Sequence, residues 1–152
     1  MKLHLRIPPL AVTLLAGLLG WMVASALPGF GFELPARGWL TVAFVLAGLG
    51  FSVWGVLQFR LARTTVNPLT PEATTELVVA GVYRVTRNPM YVGFLFLLLG
   101  ELAWLANPTS WLVAPAFVIY LNRFQIVPEE QALGARFGTD YLNYTAGVPR
   151  WL

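Results

Sequence analysis

Between Gly38 and Phe59 the chain carries no charged side chain, and the same is true from Ile7 to Phe32. A helix crossing the hydrocarbon core of a bilayer needs about 20 such residues. A third uncharged run begins at Asn88, is interrupted by Glu101 and continues to Asn122, with a turn signal at Asn107-Pro108-Thr109-Ser110 inside it. The pattern predicts an all-α, polytopic membrane protein in a single domain over 1–152, with four transmembrane helices at about 9–27, 39–59, 91–106 and 111–126. Helices three and four are short for a full crossing, so their ends are expected to be buried in protein.

Composition agrees. Hydrophobic residues make up 57% of the chain and charged residues only 11%, against about 25% charged in a soluble domain. There is no cysteine, and the single histidine is His4, which removes disulfides, thiolate catalysis and Cys/His metal sites. The excess of positive charge does not read as a nucleic-acid footprint, because its distribution follows membrane topology. With the N-terminus in the cytoplasm, Lys2, Arg6, Arg60, Arg63, Arg84, Arg87, Arg123, Arg136 and Arg150 lie at the inner face and only Arg37 lies outside. Both termini are then cytoplasmic, and the lack of a long N-terminal extension suggests the inner membrane of a prokaryote. Ala24-Ser25-Ala26 resembles a signal-peptidase site, but the apolar run before it is longer than a usual signal core.

Small residues at four-residue spacing, Ala16, Gly20 and Ala24 in the first span and Ala43 and Ala47 in the second, predict close helix packing. Two polar segments remain, 60–88 and 128–152. The first contains the extended or turning stretch Asn67-Pro68-Leu69-Thr70-Pro71. The second opens with Pro128, suited to a first helical turn, and predicts a short helix from Glu129 to Phe137 stopped by Gly138. Together they are expected to form a cap over the inner mouth of the bundle.

Each segment carries one dense block. Gly81 to Gly93 gathers two arginines, two tyrosines and Asn88-Pro89 at the start of the third span. An ordinary boundary explains these as arginine anchors, an interfacial aromatic and a first-turn proline. Glu129-Glu130 is equally explained as two acids at a helix N-terminus. The order and spacing of the two blocks together say more. Leu77-Val78, Gly81-Val82-Tyr83-Arg84, Arg87-Asn88-Pro89-Met90-Tyr91 and Gly93, followed by Glu129 through Pro149, resemble the isoprenylcysteine carboxyl methyltransferases and the related phospholipid methyltransferases. The resemblance covers about 67–152.

The resemblance implies a helical membrane enzyme that uses S-adenosylmethionine without a Rossmann fold. It places cofactor contacts on Thr75, Glu76, Leu77, Val78, Tyr83, Asn88, Pro89, Met90, Tyr91 and Glu129, and catalytic groups on Glu129, Glu130 and Arg123. A cofactor with an ammonium, a carboxylate and a sulfonium calls for acids, donors and aromatic faces, and Tyr83 and Tyr91 can supply cation–π attraction. The expected partners are the bilayer and a lipophilic prenyl or phospholipid acceptor. Two positions depart from the family pattern. Asn88 stands where a histidine is usual. Gln125 stands where prenylcysteine enzymes place an arginine against the substrate carboxylate, with Arg123 two residues earlier, so a carboxylate acceptor is in question. Glu101, close to the Asn107-Pro108 turn, is expected near the outer interface in a structural role. A nicotinamide-dependent membrane reductase related to sterol reductases, and a non-catalytic membrane scaffold, are the competing classes.

Overall fold

The computed structural model describes residues 7–63 and 75–152. The stretch Asn67–Pro71, together with Lys2, His4 and Arg6, lies outside the described residues. The described chain is all helix and turn. Helix α1 (Pro9–Ala26) starts on a proline at its first turn, where the missing N–H costs nothing. Helix α2 (Arg37–Leu61) follows, then α3 (Pro89–Leu105), again opened by proline and closed by Ala106 in the left-handed region. Helices α4 (Val113–Leu121) and α5 (Val127–Phe137) are joined by a π turn, Asn122–Ile126, and α6 (Thr139–Gly147) completes the chain.

Three helical stretches are long and apolar enough to cross a membrane: Pro9–Ala26, Arg37–Leu61 and Ser110–Phe137. The fourth, Pro89–Leu105, is apolar but shorter, about 25 Å at helical rise. The fourth predicted span and the predicted cap helix are thus one rod. Pro128 does not break it because a proline at the start of α5 meets only the widened hydrogen bonding of the π turn.

Helices α2 and α3 pack at van der Waals distance through paired glycines. A Cβ on Gly48 would stand 2.8 Å from the Gly93 carbonyl oxygen, and one on Gly93 would stand 2.6 Å from the Gly48 carbonyl oxygen. One level toward Arg60, Gly55 accommodates Met90 and Pro89; one level toward Arg37, Gly100 faces Phe44 and Thr41. The small-residue face of α2 is therefore Gly48 and Gly55, not Ala43 and Ala47, while on α1 the expected Ala16 and Gly20 do pack inward, joined by Gly17. Small residues in general let membrane helices approach, but at Gly48 and Gly93 even a Cβ would meet a backbone carbonyl. The main core lies between α3 and the α4–α5 rod, around Leu98, Leu102, Phe117, Leu121 and Ile126.

Glu101 sits deeper than its distance from the Asn107 turn implies. Its carboxylate lies against Gly17, near the middle of α1, because helical side chains lean toward their own N-terminus. The Asn107 turn is tied to the end of α1 by a hydrogen bond from Asn107 Nδ2 to the Leu27 carbonyl, 2.9 Å.

Candidate functional site

The two dense sequence blocks meet at the end of the bundle that carries Arg60. Gly81 has φ +60°, and a Cβ there would run into the Gln58 side chain. Glycine thus seats the turn Gly81–Arg84 on the end of α2. The turn buries Val82 and Tyr83, and the Tyr83 ring packs edge-on to Phe59 with centroids 5.5 Å apart. From α6, the Tyr144 hydroxyl donates to the Tyr83 carbonyl at 2.7 Å. Burial holds the phenols of Tyr83 and Tyr144 well above their ordinary pKa, and the nearby Glu129 charge adds to the effect at Tyr83.

The acidic pair of α5 is divided between two tasks. Glu130 receives Nε and Nη2 of Arg150, at 2.9 and 2.7 Å, and Arg87 Nη1 stands 3.1 Å away. This planar two-point contact is the geometry in which arginine binds a carboxylate most strongly, and Glu130 raises the Arg150 pKa. Glu129 points elsewhere, accepting a hydrogen bond from the buried Tyr91 hydroxyl. With both nearby arginines engaged by Glu130, the Glu129 carboxylate has no cation partner among the described residues.

The C-terminal residues strap the site. The Arg87 amide donates to the Pro149 carbonyl at 2.9 Å, and Asn88 Nδ2 donates to the Arg150 carbonyl at 2.9 Å, joined there by Thr86 Oγ1 at 3.2 Å. Trp151 Nε1 donates to Asn122 Oδ1 in the π turn at 3.0 Å. The sequence reading did not single out Thr86, Asn122 or Trp151, whose roles depend on contacts across more than 25 residues of chain.

The residues expected to contact a cofactor are therefore not all gathered in one place. Tyr83, Tyr91 and Glu129 share one environment. Asn88 turns its amide to the strap, while Met90 and Pro89 face Gly55 of α2. Val78 is buried, Leu77 is half-buried, and Thr75 and Glu76 are exposed. Arg123 is exposed with its guanidinium 5.9 Å from the Phe124 ring centroid. Gln125 is fully buried, and its Nε2 donates to the Ile7 carbonyl at 2.6 Å. Since that carbonyl can only accept, the amide orientation is fixed, and Gln125 Oε1 is left as an acceptor with no partner among the described residues.

A family model for phospholipid methyltransferases matches residues 36–140. Among curated proteins, the chain is 31% identical over 140 residues to the protein-S-isoprenylcysteine O-methyltransferase of Rattus norvegicus, covering 90% of this chain and 49% of that protein. It is 44% identical over 75 residues to protein-S-isoprenylcysteine O-methyltransferase A of Arabidopsis thaliana, covering 47% of this chain and 36% of that one. An uncharacterized protein of Haemophilus influenzae is 41% identical over 63 residues, 41% of this chain and the whole of that protein. The chain thus spans half or less of the length of the two named methyltransferases. No solved structure matches it.

Proposed function

The chain belongs to the phospholipid methyltransferase family, and from that premise we propose that it transfers a methyl group from S-adenosylmethionine to a lipophilic acceptor, at the end of the bundle where Tyr83, Tyr91 and Glu129 meet. The single observation that carries the reading is the division of the acidic pair: Glu130 absorbs Arg87 and Arg150, and Glu129 keeps acceptor capacity toward the site. An ammonium group, such as the one on the methionine end of the cofactor, is what such a carboxylate takes. The aromatic faces of Tyr83 and Tyr91 suit a sulfonium.

When bound, the cofactor supplies a methyl carbon already activated for displacement, so the protein's contribution is proximity and orientation. Tyr91 fixes the Glu129 carboxylate, and the Glu130 clamp holds the loop before α3 against α5. Burial of Val82, Tyr83 and Tyr91 keeps water out. The acceptor is read as one without a carboxylate. Arg123 is exposed, Gln125 spends its donor on Ile7, and the two nearby arginines are committed to Glu130. The site face is read as cytoplasmic on the arginine distribution, nine basic residues against Arg37 alone.

Calorimetric titration of the detergent-purified protein with S-adenosylmethionine and S-adenosylhomocysteine tests this, with NADPH as control. Both adenosyl compounds are expected to bind. Glu129→Gln is expected to weaken S-adenosylhomocysteine about 10- to 100-fold, the range for one hydrogen bond to a charged group. Binding of NADPH alone, or equal binding by Glu129→Gln, removes the reading.

A further inference from the structure

A groove of about 360 Å³ runs along the outside of the α2–α3 hairpin, lined by α2 from Ser52 to Arg60 and by Met90 and Phe94 of α3. We propose that it is a binding site for one anionic phospholipid of the leaflet on the Arg60 side, with an acyl chain in the groove and the phosphate on Arg60. The proposed lipid is not the methyl acceptor, and the groove shares only Met90 with the residues expected to contact the cofactor.

Depth, lining and charge carry it. The groove extends from Ser52 to Arg60 along α2, about 12 Å at 1.5 Å per residue. That approaches the thickness of one leaflet's hydrocarbon, half of about 30 Å. Its walls are aliphatic and aromatic: Val56 and Leu57 from α2, Met90 and Phe94 from α3. Its volume lies at the lower end of small-ligand sites, about 300–1,000 Å³. The concavity is built in, because the Gly55 contact with Met90 and Pro89 draws the two helices together behind it. At the mouth stands one cation. Arg60 is exposed at the last turn of α2, and among the described residues it forms no ion pair. An apolar channel of leaflet depth that opens under an exposed guanidinium is complementary to a lipid chain below a phosphate.

Native mass spectrometry of the detergent-purified protein, titrated with phosphatidylglycerol or phosphatidylcholine of equal chain length, tests the site. Wild type is expected to retain one phosphatidylglycerol in preference to phosphatidylcholine. Arg60→Gln is expected to reduce that retention about five-fold, the equivalent of roughly 1 kcal/mol for one basic residue at an anionic surface. Val56→Trp fills the channel and is expected to abolish retention of both lipids. Arg84→Gln removes an exposed arginine outside the groove and is expected to change nothing. The proposal is overturned by equal retention of the two lipids, by retention that survives Val56→Trp, by an Arg84→Gln effect as large as that of Arg60→Gln, or by no retained lipid in wild type.

Discussion

Replacing Gly93 by alanine tests the helix contact on which the site is mounted. The added methyl would stand 2.6 Å from the Gly48 carbonyl oxygen and 2.9 Å from the Ser52 amide nitrogen. A comfortable carbon–oxygen approach is about 3.3 Å or more, so α3 must move off α2 by several tenths of an ångström. The methyl would also run into the Ser52 Oγ, which a rotamer change can move; the other two obstacles are backbone atoms, and no rotamer change relieves them. A gap of about 0.5–1 Å forfeits a quarter to a half of each dispersion contact, and overfilled contacts of this kind cost about 1–3 kcal/mol. Alanine's helix propensity returns up to about 1 kcal/mol. Gly50→Ala is the control, since nothing lies within 4 Å of its added methyl; it collects the propensity gain without the clash. The two alanine variants are therefore expected to differ by about 2 kcal/mol in unfolding free energy, followed by circular dichroism in mixed micelles. Because Pro89, Met90 and Tyr91 begin the same helix, Gly93→Ala is also expected to weaken S-adenosylhomocysteine binding, and Gly50→Ala to leave it unchanged. Equal stabilities would falsify the argument that glycine is needed here for backbone contact.

Glu130→Gln removes the charge that holds Arg87 and Arg150. The side chains are 15–37% exposed, so the expected loss is about 2 kcal/mol, between the values for exposed and buried pairs. Thermal unfolding measures it, and a change within error would place the clamp among ornamental surface pairs. Alkaline stability provides a separate check. An unfolded tyrosine loses its proton near pH 10, while Tyr83 and Tyr144 keep theirs in the fold. Above pH 10 the folded state binds more protons than the unfolded state, so stability falls as pH rises. Tyr144→Phe is expected to flatten that fall in a melting series from pH 9 to 11, and an unchanged slope would contradict it.

Much of the bundle was legible because charge is so costly in hydrocarbon. The uncharged runs mark α1 and α2 to within about two residues, and Pro89 and the Asn107 turn bracket α3. The packing faces were less legible. Small residues occur on several sides of α2, and only the neighbouring helix decides that Gly48 and Gly55 are the ones that touch. The candidate site was legible as two blocks but not as a geometry. Glu129 and Glu130 are adjacent in sequence, yet consecutive helical residues point about 100° apart. Which one meets Tyr91 and which meets the arginines depends on where residues 87 and 150 arrive. The motif marks Asn88 as a candidate ligand contact but gives no sign of its partner within the fold. That partner is the Arg150 carbonyl, 62 residues away, which accepts from the Asn88 amide.

The π turn at Asn122–Ile126 gives the long rod two independent rotational phases. Up to Leu121 the phase is set by the apolar core; beyond Val127 it is set by Tyr91, Arg87 and Arg150. A π turn holds one residue more than the α-helix would, and that residue absorbs the mismatch between the two. Deleting a single residue within 122–126 would restore an unbroken α-helix, still long and apolar enough to insert. The residues after it would keep nearly their present phase and Glu129 would stay near Tyr91, whereas a one-residue deletion in the regular helix 113–121 would swing everything after it by about 100° and draw it back by about 1.5 Å. Length changes at different points of this helix are therefore not interchangeable, even when they leave the hydropathy profile untouched.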